Sequence, residues 1–231
     1  MAKTVDIKEL FEAGAYFGHK TGSWHPKMAG HIHSKRDGIH IINLEDTVEA
    51  IQKAQNLVEK VTKTGKTVLF VGTKSQAKDK VREIAELVGM PYVNERWMGG
   101  MLTNFSTIQQ QISKLKKLEA RMESGEIQAK YSKLEVQRFQ EQIERLNLLY
   151  GGIKNMQAAP GAVVVSDIIT DLIAIKEAKK CGIPVVGIAD TNTDPNLVDI
   201  AIPANDDAIK SIELIMSYLA SAVQAKTEAP A

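Results

Sequence analysis

KTVLFVGTK at residues 66–74 runs directly into SQAKDKVREIAELVG at 75–89, and the reading of this pair decides the fold. The first segment is apolar on both faces, as a strand buried in a parallel sheet is. The second is its return helix, with Ser75 as the expected cap. A strand that feeds a helix and repeats further along the chain means a parallel sheet covered on both sides. The repeat is there. GAVVVSD (161–167) reads as a strand and DLIAIKEAKKCG (171–182) as its helix, followed by strands IPVVGIAD (183–190) and VDIAIP (198–203). The closing helix spans 205–224, capped by Asn205 with Asp206 and Asp207 in its first turn.

Upstream, DIKELFEAG (6–14) is a short helix closed by Gly14, and residues 44–65 form an amphipathic helix ending at Gly65. Its apolar face carries Val48, Ile51, Ala54, Leu57, Val58 and Val61. IHIINL (39–44) and MPYVNERW (90–97) read as short strands. Between the first helix and residue 39 lies a Gly-, Pro-, Ser- and His-rich stretch without a clean period, expected to be a long ordered loop.

Residues 103–150 change character. Ile108, Ile112, Leu115, Leu118 and Met122 keep helical spacing among charged and Gln residues, ESGEIQ (123–128) breaks it, and Leu134, Phe139, Ile143, Leu146 and Leu149 resume it. The spacing predicts an antiparallel helical hairpin with a narrow, coiled-coil-like seam, projecting from the main domain. The expected organisation is an α/β domain over 1–102 and 151–225, the hairpin inserted at 103–150, and a disordered tail at 226–231.

The net charge of +1 hides an asymmetry: residues 1–158 hold 24 Lys and Arg against 18 Asp and Glu, and residues 159–231 hold 5 against 10. Such a split suggests one face meant for a polyanion. No acidic residue occurs between Glu12 and Asp37, a window that carries Lys20, Lys27, Lys35 and Arg36. The lone Cys181 excludes a disulfide framework within the chain. No run approaches the ~20 apolar residues of a membrane span, and the N-terminus shows no leader pattern, so a cytoplasmic protein with no membrane partner is expected.

All five histidines lie within 19–40, yet no HExxH occurs and their spacing matches no standard zinc pattern. With Trp24 and the basic residues interleaved, they fit contacts to phosphates, 2′-hydroxyls and bases better than a metal cluster. A rival reading is a phosphate- or nucleotide-binding enzyme using Lys74, Asp167 and Asp190 at the carboxyl ends of strands. Against it, neither GxxxxGK[ST] nor GxGxxG is present, and no nucleophile stands beside a base. In ERWMGGMLTNF (95–105) Arg96 could grip a phosphate and Trp97 could stack on a base; a buried Trp at a domain hinge fits equally well.

FGHKTGSWHPKMAGHIHSKRDGIHIINLEDT (17–47), LFVGTKSQAK (69–78), NERWMGGMLTNFSTI (94–108), GGIKNM (151–156), AIKEAKKCGIPVVGIADTNTDP (174–195) and IPANDDAIKSI (202–212) together resemble the ribosomal protein S-two family of the small subunit, bacterial or organellar branch. The resemblance implies a three-layer flavodoxin-like domain with an inserted coiled-coil hairpin and a structural, non-enzymatic role in translation, with no small-molecule substrate and no required cofactor. It implies binding to small-subunit ribosomal RNA, and help in recruiting the large S-one ribosomal protein. Carried over by position, RNA contacts fall to Lys20, Trp24, His25, Lys27, Lys35 and Arg36 in the basic loop. Arg96, Trp97 and Asn104 would add contacts at the hairpin base, and Lys114, Lys116, Lys117, Arg121, Lys130 and Lys133 along the hairpin. Some relatives carry a divalent ion; its counterpart here would be a structural zinc on His19, Asp190 and Asp207.

Overall fold

The computed structural model describes residues 3–223; the expected tail at 226–231 lies outside the described residues. The chain runs α1 (Ile7–Glu12), β1 (Phe17–Lys20), β2 (Ile32–Arg36), β3 (Ile39–Ile42), α2 (Leu44–Lys63), β4 (Val68–Val71), α3 (Lys78–Leu87) and β5 (Tyr92–Val93). It continues through α4 (Phe105–Glu123), α5 (Glu126–Lys130), α6 (Lys133–Tyr150), β6 (Ala162–Val165), α7 (Leu172–Lys180), β7 (Val185–Ala189), β8 (Ile200–Pro203) and α8 (Ile209–Ser221).

β4 to β8 form a parallel sheet in the order β5-β4-β6-β7-β8. Counted within that sheet this is 2-1-3-4-5, the flavodoxin-like order of doubly wound folds. In-register residues Phe70, Val164, Val186 and Ile200 face one side, where α1, α2, α3 and α8 close a core that includes Ile51, Val58, Val81, Ile212 and Tyr218. Alternate residues Leu69, Val71, Val163, Val165 and Val185 face the other side, against α7 and the base of α4 and α6. Both faces are therefore dry, which is why these strands read as unbroken apolar runs.

Several expectations need correction. The stretch 19–40 is not a long loop: β1, β2 and β3 form a separate antiparallel sheet in the order β1-β3-β2. Residues 39–42 therefore do not enter the parallel sheet. Asp37 and Gly38, with φ of 50° and 76°, turn β2 into β3, the two-residue hairpin turn that Asp-Gly favours. Ser75 does not cap α3, which starts at Lys78; its hydroxyl donates to Gln76 Oε1. α8 begins later than expected, and Asn205 Oδ1 instead accepts from the N–H groups of Asp207 and Ala208 in the turn before it.

α6 runs back along α4, with Leu115, Leu118 and Ile143 forming their own small cluster beside Met122, Phe139 and Leu146. The break between them holds the extra helical turn α5, and Leu134, expected on the seam, is exposed. Near the sheet, Ile108, Ile112 and Tyr150 join the main core instead.

Candidate nucleic-acid interface

The basic window folds onto the small antiparallel sheet. Lys20 ends β1 and Lys35 and Arg36 lie on β2, all three exposed, Arg36 at 85%. The sheet is pinned to the loop after β7. His25 N–H donates to the Thr191 carbonyl at 2.7 Å, His19 N–H to Thr191 Oγ1 at 2.8 Å, and Lys27 Nζ lies 2.7 Å from Asp194 Oδ2. Gly18 permits this approach: a Cβ there would stand 2.5 Å from the Thr191 methyl. Lys27 is thus exposed but already ion-paired, and it would have to exchange Asp194 for a phosphate. Trp24 is half-exposed, with its ring centroid 5.4 Å from that of His40.

At the hairpin base Arg96 and Asn104 are exposed. Trp97 is not: at 8% exposure it lies in the core, its indole N–H donating to Glu177 Oε1 at 3.2 Å. The stacking role expected of it gives way to the hinge reading, because burial and a satisfied N–H leave no face for a base. Along α4, Lys114, Lys117 and Arg121 share one stripe and line a shallow groove with Gln110, Ser113 and Leu118; Lys116, Lys130 and Lys133 are exposed nearby in sequence on α4, α5 and α6. Met28, just before β2, is fully buried in the same apolar cluster as Trp97, Met101 and Leu102. The basic sheet and the hairpin base therefore meet on one side of the parallel sheet.

At the carboxyl edge of that sheet, Lys74 fills the middle of an acidic group: its Nζ lies 2.7 Å from Asp206 and Asp207 and 3.3 Å from Asp167. Burial pulls the Lys74 ammonium down, but these carboxylates outweigh it and leave it above its ordinary value. Burial, with the charges of Asp167 and Asp190, pushes Asp206 up to about 7 despite its bond to Lys74. The lysine keeps its charge. With several carboxylates around one ammonium, it is Asp206 rather than Lys74 that is pushed toward its neutral form. Lys74 is a half-buried counter-ion held by carboxylates rather than a free amine.

His19 does reach this edge, as expected. Its Nδ1 lies 3.0 Å from Asp190 Oδ1 and its Nε2 3.7 Å from Asp207 Oδ2. The Nδ1 contact is not aligned as an in-plane hydrogen bond and acts as charge attraction; the Asp190 carboxylate raises the His19 pKa against the opposing effect of burial. The three residues do not fit a zinc ion as arranged. Opposite ring nitrogens face the two carboxylates, so the donors do not converge, and Lys74 occupies the approach to Asp207. Among the described residues no group of three or more such donors is placed to hold a metal.

Two features escaped the sequence reading. Glu177, on α7, gathers the hairpin-base loop. Beside α1, Phe11 and Phe17 are 58% and 43% exposed, and Phe11 stacks on Tyr16 with centroids 4.6 Å apart. With His33, Arg36, Ile39 and Ile41 they line a groove of about 590 Å³. Exposed aromatics in a concave patch mark an interaction surface; the doublet YF at 16–17 was the available signal.

Comparison with known proteins bears on the whole chain. A family model described as ribosomal protein S2 matches residues 10–226. A protein of Coprothermobacter proteolyticus, described as small ribosomal subunit protein uS2, is 50% identical over 219 residues, covering 95% of this chain and 81% of that protein. Proteins with the same description from Geotalea uraniireducens and Thermus thermophilus are 49% and 48% identical, covering 95% and 94% of this chain and 85% and 84% of their own lengths.

Proposed function

The chain belongs to the ribosomal protein S2 family, a structural and non-enzymatic component of the small ribosomal subunit, and from that premise we propose how it is held there. Small-subunit ribosomal RNA binds the antiparallel sheet through Lys20, Lys35 and Arg36, the segment between β1 and β2 through Trp24, His25 and Lys27, the hairpin base through Arg96 and Asn104, and the hairpin through Lys114, Lys117 and Arg121. The observation that carries this reading is the acid-free window from 13 to 36, folded so that Lys20, Lys35 and Arg36 all face solvent. Cations on a rigid sheet meet phosphates without ordering a flexible loop first, and each contact releases condensed counterions. Such contacts position the protein, and folded RNA shape supplies selectivity.

In this reading residues 103–150 are a coiled-coil hairpin inserted into one α/β domain built from 1–102 and 151–225. The groove beside Phe11, Tyr16 and Phe17 receives a neighbouring protein, the large S-one protein whose recruitment the family resemblance implies. Its aromatic floor suits an apolar segment. Fractionating a cell lysate on a sucrose gradient tests the core of the proposal. The chain should sediment with small subunits; recovery only at the top of the gradient would overturn it.

A further inference from the structure

We propose that Glu177 is the positioning residue of the hairpin: its carboxylate organises residues 97–103 and so sets the direction in which α4 leaves the sheet. Glu177 lies on α7 and is buried, at 9% exposure. Its Oε1 accepts from the Trp97 indole at 3.2 Å and from the Gly100 N–H at 2.7 Å. Its Oε2 accepts from the N–H groups of Leu102 and Thr103 at 3.0 and 3.2 Å, and from Thr103 Oγ1 at 3.1 Å. Five donors thus converge on one side chain, and among the described residues no ion pair involves it.

A ring of backbone N–H groups around an anion is a nest, normally found around a bound phosphate or carboxylate ligand. Here the chain supplies the anion itself. Gly100, at φ +90°, takes the left-handed conformation the loop requires beside the carboxylate. Gly100 carbonyl in turn accepts from the Asn104 N–H at 2.9 Å, the residue that opens α4. The path from Glu177 to the hairpin is therefore a short run of hydrogen bonds. Trp97, Met101 and Leu102 also enter the core, as do Ile108 and Ile112 of α4; that packing supports the helix, and the Glu177 hydrogen bonds add directional contacts at its start. Desolvation pushes the Glu177 carboxyl up, yet the donors outweigh it and hold it below the ordinary value, so it is ionised at neutral pH and binds all five.

The consequence for RNA rests on the function proposed above; the cause does not. The test is Glu177→Gln in the full chain, since Gln keeps the shape but turns an NH2 group toward donors. In the free protein, amide exchange at Gly100, Leu102 and Thr103 should accelerate by about 100-fold, with that at Val164 and Val186 in the sheet nearly unchanged. Binding to small subunits depleted of this protein should weaken by about 10-fold. Ile175→Val, a cavity on the same helix that leaves the carboxylate in place, should leave loop exchange and binding as in the parent. Loop exchange rising no more than sheet exchange in Glu177→Gln would overturn the proposal, as would a loosened loop with unaltered binding. If the parent chain itself fails to bind depleted subunits, the RNA reading fails, and the exchange comparison still decides the role of Glu177.

Discussion

Asp171 shows how one side chain couples the carboxyl edge to pH. It is buried at the start of α7, and Thr73 Oγ1 donates to its Oδ1 at 2.8 Å. Burial pushes its carboxyl up to about 6, against the Thr73 hydrogen bonds and with help from the Asp167 charge. A carboxyl raised in the folded state binds a proton more tightly there than in the unfolded chain. Its contribution to stability is complete below the unfolded value near 4 and is lost as pH rises to about 6. The swing is about 3 kcal/mol at most. Asp171→Asn keeps an acceptor for Thr73 and cannot titrate, so its melting temperature should gain on the parent's between pH 4 and 7. Parallel curves for the two proteins in thermal denaturation would remove Asp171 from the account. At this scale the sequence marked strand-end residues well: Asp190 and His19 do meet. It could not show that Lys74 reaches across to Asp206 and Asp207, because that pairing depends on how β4 and the turn before α8 sit side by side. Trp97 failed for a related reason, since a Trp beside two glycines reads the same whether it faces a base or a core.

Among the elements, the parallel strands were legible because burial on both faces writes an apolar run with no alternation. The small sheet was not, since β2 reads IHSKR, mostly polar, with four of five positions exposed. Its one sharp signal was Asp37-Gly38 between two short strands, a turn whose positive φ values few other pairs accept. The hairpin lies between these cases. Its spacing gave two helices, but Leu134 on the expected seam, in the first turn of α6, faces water, and the buried side chain at the break is Ile127 of α5 instead. The outer cluster of Leu115, Leu118 and Ile143 is small, each fully buried side chain being worth about 1.5–3 kcal/mol. Ordering each residue costs about 1–2 kcal/mol of backbone entropy. The distal hairpin is thus held with little margin and should open independently of the sheet. Leu115→Ala should cost about 2–5 kcal/mol locally and accelerate amide exchange in α4 and α6 while leaving β6 and β7 protected. Equal acceleration in the sheet would mean that hairpin and domain unfold as one unit.

On the scale of the whole molecule, charge and architecture coincide. The acidic final third supplies β6 to β8, α7 and α8, with many of its carboxylates turned inward on Lys74 or into turns, while the basic surplus lies on the added sheet and the hairpin. The doubly wound core thus serves as a rigid mount, and its carboxyl edge, where such folds usually take ligands, is closed by the chain's own lysine. If the antiparallel sheet is an RNA anchor, changing Lys27, Lys35 and Arg36 together to Gln should lower small-subunit occupancy without unfolding the domain. Lys35 and Arg36 are exposed, and Lys27 makes only an ion pair at the surface. The salt dependence gives the sharper measurement. Each phosphate contact removed should flatten the slope of log affinity against log salt by about 0.7–0.9, so three lost contacts predict a change of about 2–3. Lys27 must give up Asp194 to reach a phosphate, which places it at the weaker end of that range. Lower occupancy with an unchanged slope would mean that the variant disturbs the seating of the sheet on Thr191 rather than its contact with RNA.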